Sequence, residues 1–216
     1  MIVDMLIGLP AQRPGGIVLT VLIAVSSGAI ALVLGAVYAT VCVGAPRLSV
    51  GLQAALAVLR GVPLLLLVFA LAQLTTMPLT LTGFLALLLF SLCHVGETLR
   101  GFMAAYPRAL RDQALILGYG RIREWACLRL PWTLRTSLDA LATHWISLLK
   151  DTGTLTVLGI GELTTVARAL SERAGVGDWE LILVTAGLIY LLVIIILIQS
   201  LRLLNRKLSP RDTMVI

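Results

Sequence analysis

From Gly61 to Gly96 the chain runs for 36 residues without one Asp, Glu, Lys or Arg. As one helix that run would rise more than about 50 Å, against a bilayer hydrocarbon core of about 30 Å. It must therefore turn, and Thr75-Thr76-Met77-Pro78 is the cluster of breakers that allows it. The spans expected on either side cover about 49–74 and about 79–99. Ile17 to Val43 is another uncharged run, long enough for a tilted span, and 181–201 is nearly pure Leu, Ile and Val. A further apolar stretch, 136–158, is interrupted by Asp139, His144, Lys150 and Asp151. Only 13% of the 216 residues are charged, about half of what a soluble domain carries. The expectation is an all-α integral membrane protein, a single transmembrane domain over 1–216 with five transmembrane helices.

Five crossings put the two termini on opposite faces. One face then collects Arg47, seven arginines between Arg100 and Arg135, and Arg202, Arg206, Lys207 and Arg211. The other holds Arg13, Arg168 and Arg173 beside Asp4, Glu162, Glu172, Asp178 and Glu180. Twelve basic residues against three place the first face in the cytoplasm, the N-terminus outside and the C-terminus inside. The start, MIVDMLIGLPAQRPGG, lacks a basic segment followed by an apolar one, so no cleavable signal peptide is expected. Cys42, Cys93 and Cys127 are scattered and form neither a disulfide framework nor a zinc site. The net charge of +6 thus reports orientation, and no nucleic-acid partner is expected.

The longest cytoplasmic segment is then about 100–135. A positive-inside anchor explains its sign but not its pattern. Residues 109–117 and 122–130 each read as a short helix with one apolar side: Leu110, Ala114 and Leu117 in the first, Ile122, Trp125 and Ala126 in the second. Gly118-Tyr119-Gly120 supplies a reversal between them, and Pro131 is expected to stop the second. Half-apolar helices on a water-facing loop need a partner surface.

The spacing Asp112-Gln113-Ala114-x3-Gly118-x9-Leu128-x-Leu130-Pro131 resembles the EAA loop (E-A-A-x3-G-x9-I-x-L-P) of the membrane subunits of ATP-binding-cassette (ABC) importers. Asp replaces Glu, Gln the first Ala, and Leu the Ile. Arg60-Gly61-Val62-Pro63-Leu64-Leu65, Glu97-Thr98-Leu99-Arg100-Gly101, Tyr106-Pro107-Arg108 and Leu148-Leu149-Lys150-Asp151-Thr152 are similar to segments of the subfamily that imports polar amino acids. The resemblance runs from about Gly16 to Lys207. It implies the type I ABC importer permease fold in a bacterial cytoplasmic membrane, with the coupling loop seated in a cleft of a separate ATPase. In that reading Gly118 is the pivot and Leu117, Tyr119 and Ile122 are the apolar knob. Arg111, Asp112, Ala114, Leu130 and Pro131 complete the coupling set, with Arg121 and Arg123 at its rim. The implied partners are ABC ATPase subunits, a second permease subunit (identical or paralogous), an extracellular or periplasmic substrate-binding protein, membrane lipid and an amino-acid substrate. No GxxxxGK[ST] occurs, so this chain is not itself an ATP-hydrolysing enzyme; it binds no cofactor of its own, and ATP and Mg belong to the ATPase.

Ionisable groups inside spans need a partner or a watery cavity. Arg60, Glu97, Asp139 and Lys150 are the candidates for the substrate path. For Glu97 the plainer alternative is a helix pair with Arg100, and for Arg60 a snorkelling side chain. Asp139 and Lys150, eleven residues apart, share one helix face about 16 Å apart, directed at a partner protomer or the pore. Asp151 points elsewhere. His94-x-x-Glu97 has a metal-site spacing, but the chain lacks the second copy such a site needs, so a packed histidine is the better account. Acidic or polar neutral substrates are favoured, because a basic substrate asks for more acids than Glu97 and Asp139. The alternatives are a permease for another small solute and an ion-gradient secondary transporter, for which no internal repeat is found.

Overall fold

The computed structural model describes residues 1–174 and 178–208, without the side chains of Gln12 and of 204–208. Arg206, Lys207 and Arg211, which the orientation argument uses, thus lie outside the described side chains. Among the described residues the regular structure is helical, apart from one isolated bridge between Gly16 and Glu162. The helices are α1 (Ile2–Ile7), α2 (Gly16–Gly44), α3 (Pro46–Gly61), α4 (Leu64–Leu74), α5 (Leu79–Ala104), α6 (Arg108–Ile116), α7 (Arg121–Glu124), α8 (Leu130–Thr136), α9 (Leu138–Asp151), α10 (Leu163–Arg173) and α11 (Asp178–Leu208). By length and composition α2, α5 and the 178–203 part of α11 can cross a membrane, and the α3–α4 pair makes a fourth candidate if its two arms count as one broken span.

The α2–α5 pair is the spine. One face of α2 carries Ala24, Ser27, Gly28, Ala31, Gly35 and Ala39, all buried. Small residues at this spacing let two backbones approach where lipid supplies no hydrophobic drive. At Gly35 a Cβ would lie 3.1 Å from the backbone nitrogen of Gly96, and at Gly96 one would meet the Tyr38 ring at 3.0 Å. Three apolar clusters follow one another along this spine. Ile17 packs with Met5, Leu163, Val166 and Ile182 at one end. Ile23 packs with Leu67, Val68, Leu87, Leu148 and Leu155 in the middle. Ala39, Val95, Leu99, Met103 and Leu141 close the end nearest the arginine-rich loop.

Two expected elements come out differently. The single helix expected over 49–74 is two, bent by 99° between α3 and α4. Pro63 has no N–H and biases its predecessor toward extended backbone, and Val62 sits at φ −80°, ψ 122°. The stretch expected to cross over 136–158 is α9 followed by a 3-10 helix, Thr152–Leu158, ended by Gly159 at φ +69°. The turn expected at 75–78 is present, with Pro78 capping α5.

Glu162, expected among surface charges, is fully buried. It caps α10, accepting from the backbone N–H of Thr164 at 2.9 Å and Thr165 at 2.7 Å. The Thr156 hydroxyl at 3.0 Å and the Tyr190 hydroxyl at 3.1 Å donate to it as well. Its carboxylate therefore ties the 3-10 segment, α10 and α11 together. Glu162→Ala strands two N–H groups and the hydroxyls of Thr156, Thr165 and Tyr190, each worth about 1 kcal/mol or more when buried. We expect a fall of about 5–10 °C in the melting temperature of the purified protein. Glu162→Gln, which keeps one acceptor oxygen, should fall less.

Candidate functional site

The loop between α5 and α9 holds the residues expected to couple to an ATPase. α6 ends at Ile116, and Gly118 follows at φ +74°. Tyr119 N–H donates to the Ala114 carbonyl at 2.9 Å and Gly118 N–H to that of Leu115 at 3.0 Å. This is a Schellman stop, in which a left-handed residue closes the helix, and glycine takes that conformation without a Cβ penalty. The reversal throws apolar side chains outward: Ile116 is 85% exposed and Ile122 84%, with Leu117 also exposed. Arg111, Asp112, Arg121 and Arg123 surround them in the exposed layer, and Arg123 lies over the Tyr119 ring at 4.7 Å. Ala114 is buried, anchoring α6 from beneath.

The second half of the loop corrects the sequence expectation. Pro131 does not stop the helix; α7 runs through a π-helical turn, Trp125–Arg129, into α8. Leu130 N–H reaches back five residues to the Trp125 carbonyl. The wider turn relieves the ring clash and missing donor that Pro131 would impose on regular α-helix. Leu130 and Pro131 are consequently half-buried within a continuous rod rather than marking its end.

This rod is fastened to α5. Arg129 donates through Nε at 3.2 Å and Nη2 at 3.0 Å to the Met103 carbonyl in the last turn of α5, which otherwise accepts only a long bond from Tyr106 N–H at 3.4 Å. Its guanidinium also lies over the Tyr106 ring, which packs edge-on against Trp132. Burial, with the Glu124 carboxylate nearby, pushes the Tyr106 phenol above its usual range. The loop is thereby fastened to the end of α5. In the sequence Arg129 is one charge among seven, because its partner is a backbone carbonyl 26 residues away.

The substrate-path candidates divide into two groups. Glu97 has both oxygens engaged within the chain: Arg100 donates to Oε2 at 2.8 Å and 2.9 Å, and the Tyr38 hydroxyl donates to Oε1. Arg60 is exposed at the end of α3. Asp139 and Lys150 lie elsewhere, both exposed on α9, which buries Leu141, Leu148 and Leu149 on its other residues. Among the described residues neither forms an ion pair. His94 stacks on His144 with ring centroids 5.5 Å apart, and His144 Nε2 meets the Ser91 hydroxyl at 2.8 Å. That packing of two distant histidines had no signal in their spacing.

Glu97→Gln tests which role its carboxylate has. The pair with Arg100 is partly exposed and contributes about 1 kcal/mol or less. We expect a small fall in melting temperature and a change in KM for uptake below about threefold, because the carboxylate is occupied by its own chain.

No family model matches the chain. It is 29% identical over 206 residues, 91% of this chain and 92% of the other, to the arginine transport system permease protein ArtQ of Bacillus subtilis. To the glutamine transport system permease protein GlnP of Escherichia coli it is 29% identical over 118 residues, 54% of this chain and 52% of that one. Its homologues are amino-acid ABC transporter permeases. Among solved structures it resembles a chain of an amino acid ABC transporter, with a TM-score of 0.76 and 21% identity over 89% of this chain and 92% of that one. The inward-facing MetNI methionine ABC transporter gives a TM-score of 0.74 at 14% identity, over 88% and 93% of the two chains. Those two likenesses are of fold. The relatives' alignments cover the Gly118 loop and the spine together in the first case.

Proposed function

We propose that this chain is the permease subunit of an ATP-driven importer of amino acids, coupled to a separate ATPase through the loop around Gly118. The observation that supports it most is the exposed apolar knob, Ile116, Leu117 and Ile122, held on a Schellman reversal and fastened to α5 by Arg129. An apolar surface of that kind, ringed by arginines at the end of a helix bundle, is suited to a protein cleft. The relatives' named substrates range from arginine to glutamine and to glutamate and aspartate, so the substrate class is amino acids without a preferred charge.

The proposed topology has five crossings, with the N-terminus outside and the loop in the cytoplasm of a bacterial cell. α9 alone has 14 residues, but with the seven of its 3-10 extension it carries about 35 Å of axial rise, enough for a fifth crossing. Two permease subunits, identical or paralogous, would enclose the pathway, and the exposed Asp139 and Lys150 face of α9 is suited to lie against the second copy or the pore. ATP and Mg act on the ATPase subunits, and a binding protein outside delivers the substrate.

Co-expression with the ATPase and reconstitution in liposomes tests this. The expected result is ATP hydrolysis that rises when loaded binding protein is added, with amino acid accumulating inside. Solute movement by the purified chain alone, driven by a proton or sodium gradient, would favour a secondary transporter instead.

A further inference from the structure

A cavity of about 810 Å³ lies between the loop and the ends of α2 and α5; it opens beside the coupling surface, whose Tyr119 and Ile122 form part of its wall, and the substrate path does not use it. Arg111, Arg121 and Arg129 line it, together with Glu124 and Trp125. Arg129 is already committed to the Met103 carbonyl, whereas among the described residues Arg111 and Arg121 form no ion pair. Glu124 is only 8% exposed, yet its Oε1 has no hydrogen-bond partner, and neither has the buried Nε1 of Trp125. A buried carboxylate oxygen without a partner costs about 1–3 kcal/mol, so this corner of the cavity is suited to a donor from outside the chain.

Thr40 and Trp125 line this cavity and also an adjoining groove of about 430 Å³. That groove runs along α2 and α8 between Val33, Val37, Leu130 and Leu134, and is almost wholly apolar. Water would satisfy Glu124 and Trp125 but would leave the groove uncovered. A ligand that fits both must combine an anion for the arginines, a cationic N–H donor for Glu124 and a hydrocarbon tail continuous with them.

We propose that the cavity and groove together hold one phospholipid with a primary ammonium headgroup, phosphatidylethanolamine in its simplest form. The phosphate lies at Arg111 and Arg121, the ammonium donates to Glu124, and one acyl chain fills the groove beside Val37. Basic pockets at the cytoplasmic ends of transmembrane helices recognise lipid headgroups in this way. The proposal rests on the membrane orientation given above but not on transport. A lipid held here would brace the loop against α2 during its movement.

Native mass spectrometry of the purified permease–ATPase complex, exchanged into mixtures of phosphatidylethanolamine, phosphatidylglycerol and phosphatidylcholine, reads this without ATP or substrate. The expected result is one retained phosphatidylethanolamine per permease chain, favoured about tenfold or more over phosphatidylcholine, which has no N–H to offer. Glu124→Gln should remove the preference over phosphatidylglycerol, and Val37→Trp should lower retention of all three. Added inorganic phosphate should not displace the lipid. Equal retention of the three lipids by the unaltered protein would overturn the proposal. So would displacement by phosphate, or a lipid that is bound by the permease alone and expelled when the ATPase docks, which would give the cavity to the ATPase. Failure of uptake with the lipid still counted would count against the transport reading alone.

Discussion

Gly118→Asp is expected to abolish ATP-driven uptake while the chain still inserts and folds. At φ +74° Gly118 is in the left-handed region, which costs an ordinary residue about 1–2 kcal/mol, and Asp is among the residues that tolerate it best. A Cβ there would meet nothing within 4 Å, so no clash threatens the fold. The damage falls on docking. The new carboxylate sits between Leu117 and Ile122, where seating in a partner's cleft would strip its water at a cost of several kcal/mol. That corresponds to about a hundredfold or more in affinity for the ATPase. The check is uptake in cells alongside the amount of permease in the membrane. Wild-type uptake by this variant would remove the pivot from the coupling account.

Gly16→Ala is expected to have the opposite character, with folding lost rather than coupling. Gly16 opens α2 at φ +56°, and its N–H donates to the Gly161 carbonyl at 2.8 Å. Beside it Thr20 Oγ1 accepts from Leu163 N–H at 3.1 Å, so the start of α2 is locked onto the entry to α10. A Cβ at Gly16 would lie 2.1 Å from the Met5 carbonyl oxygen, backbone that has no rotamer to yield with. Relief requires displacing α1 and its buried Met5 from the cluster around Leu163 and Val166. Strain and lost packing together amount to about 4 kcal/mol or more. The expected outcome is a large drop in the yield of monodisperse protein from detergent, measured by size-exclusion chromatography. A variant with unchanged yield and melting temperature would show that α1 is not fastened here.

The parts of this fold that sequence discloses are those set by solvent. Long uncharged runs have no low-cost place outside a bilayer or a core, so α2, α5 and α11 fall where hydropathy puts them. Gly118 is legible because a reversal between two half-apolar helices calls for a residue free to take positive φ. What escapes is whatever a distant partner decides. The bend at Val62-Pro63 lies inside an apolar run that composition reads as one length, although Pro63 itself was the warning. Pro131 looked like a stop because a π-turn upstream, which absorbs it, has no sequence signature. Glu162 looked like a surface charge because the groups that satisfy it, Thr156, Thr165 and Tyr190, come from three separate elements. Arg129 was hidden in the same way by its carbonyl partner at Met103.

The coupling account is tested most directly by crosslinking. Cys127 is exposed and would be replaced by Ser, whereas Cys42 and Cys93 are buried. Single cysteines at Leu117 or Ile122, in the transporter assembled with its ATPase, should crosslink to the ATPase in membranes, with a yield that changes when ATP is added. Crosslinks from both positions only to lipid, or to nothing, while uptake continues at the wild-type rate would contradict it.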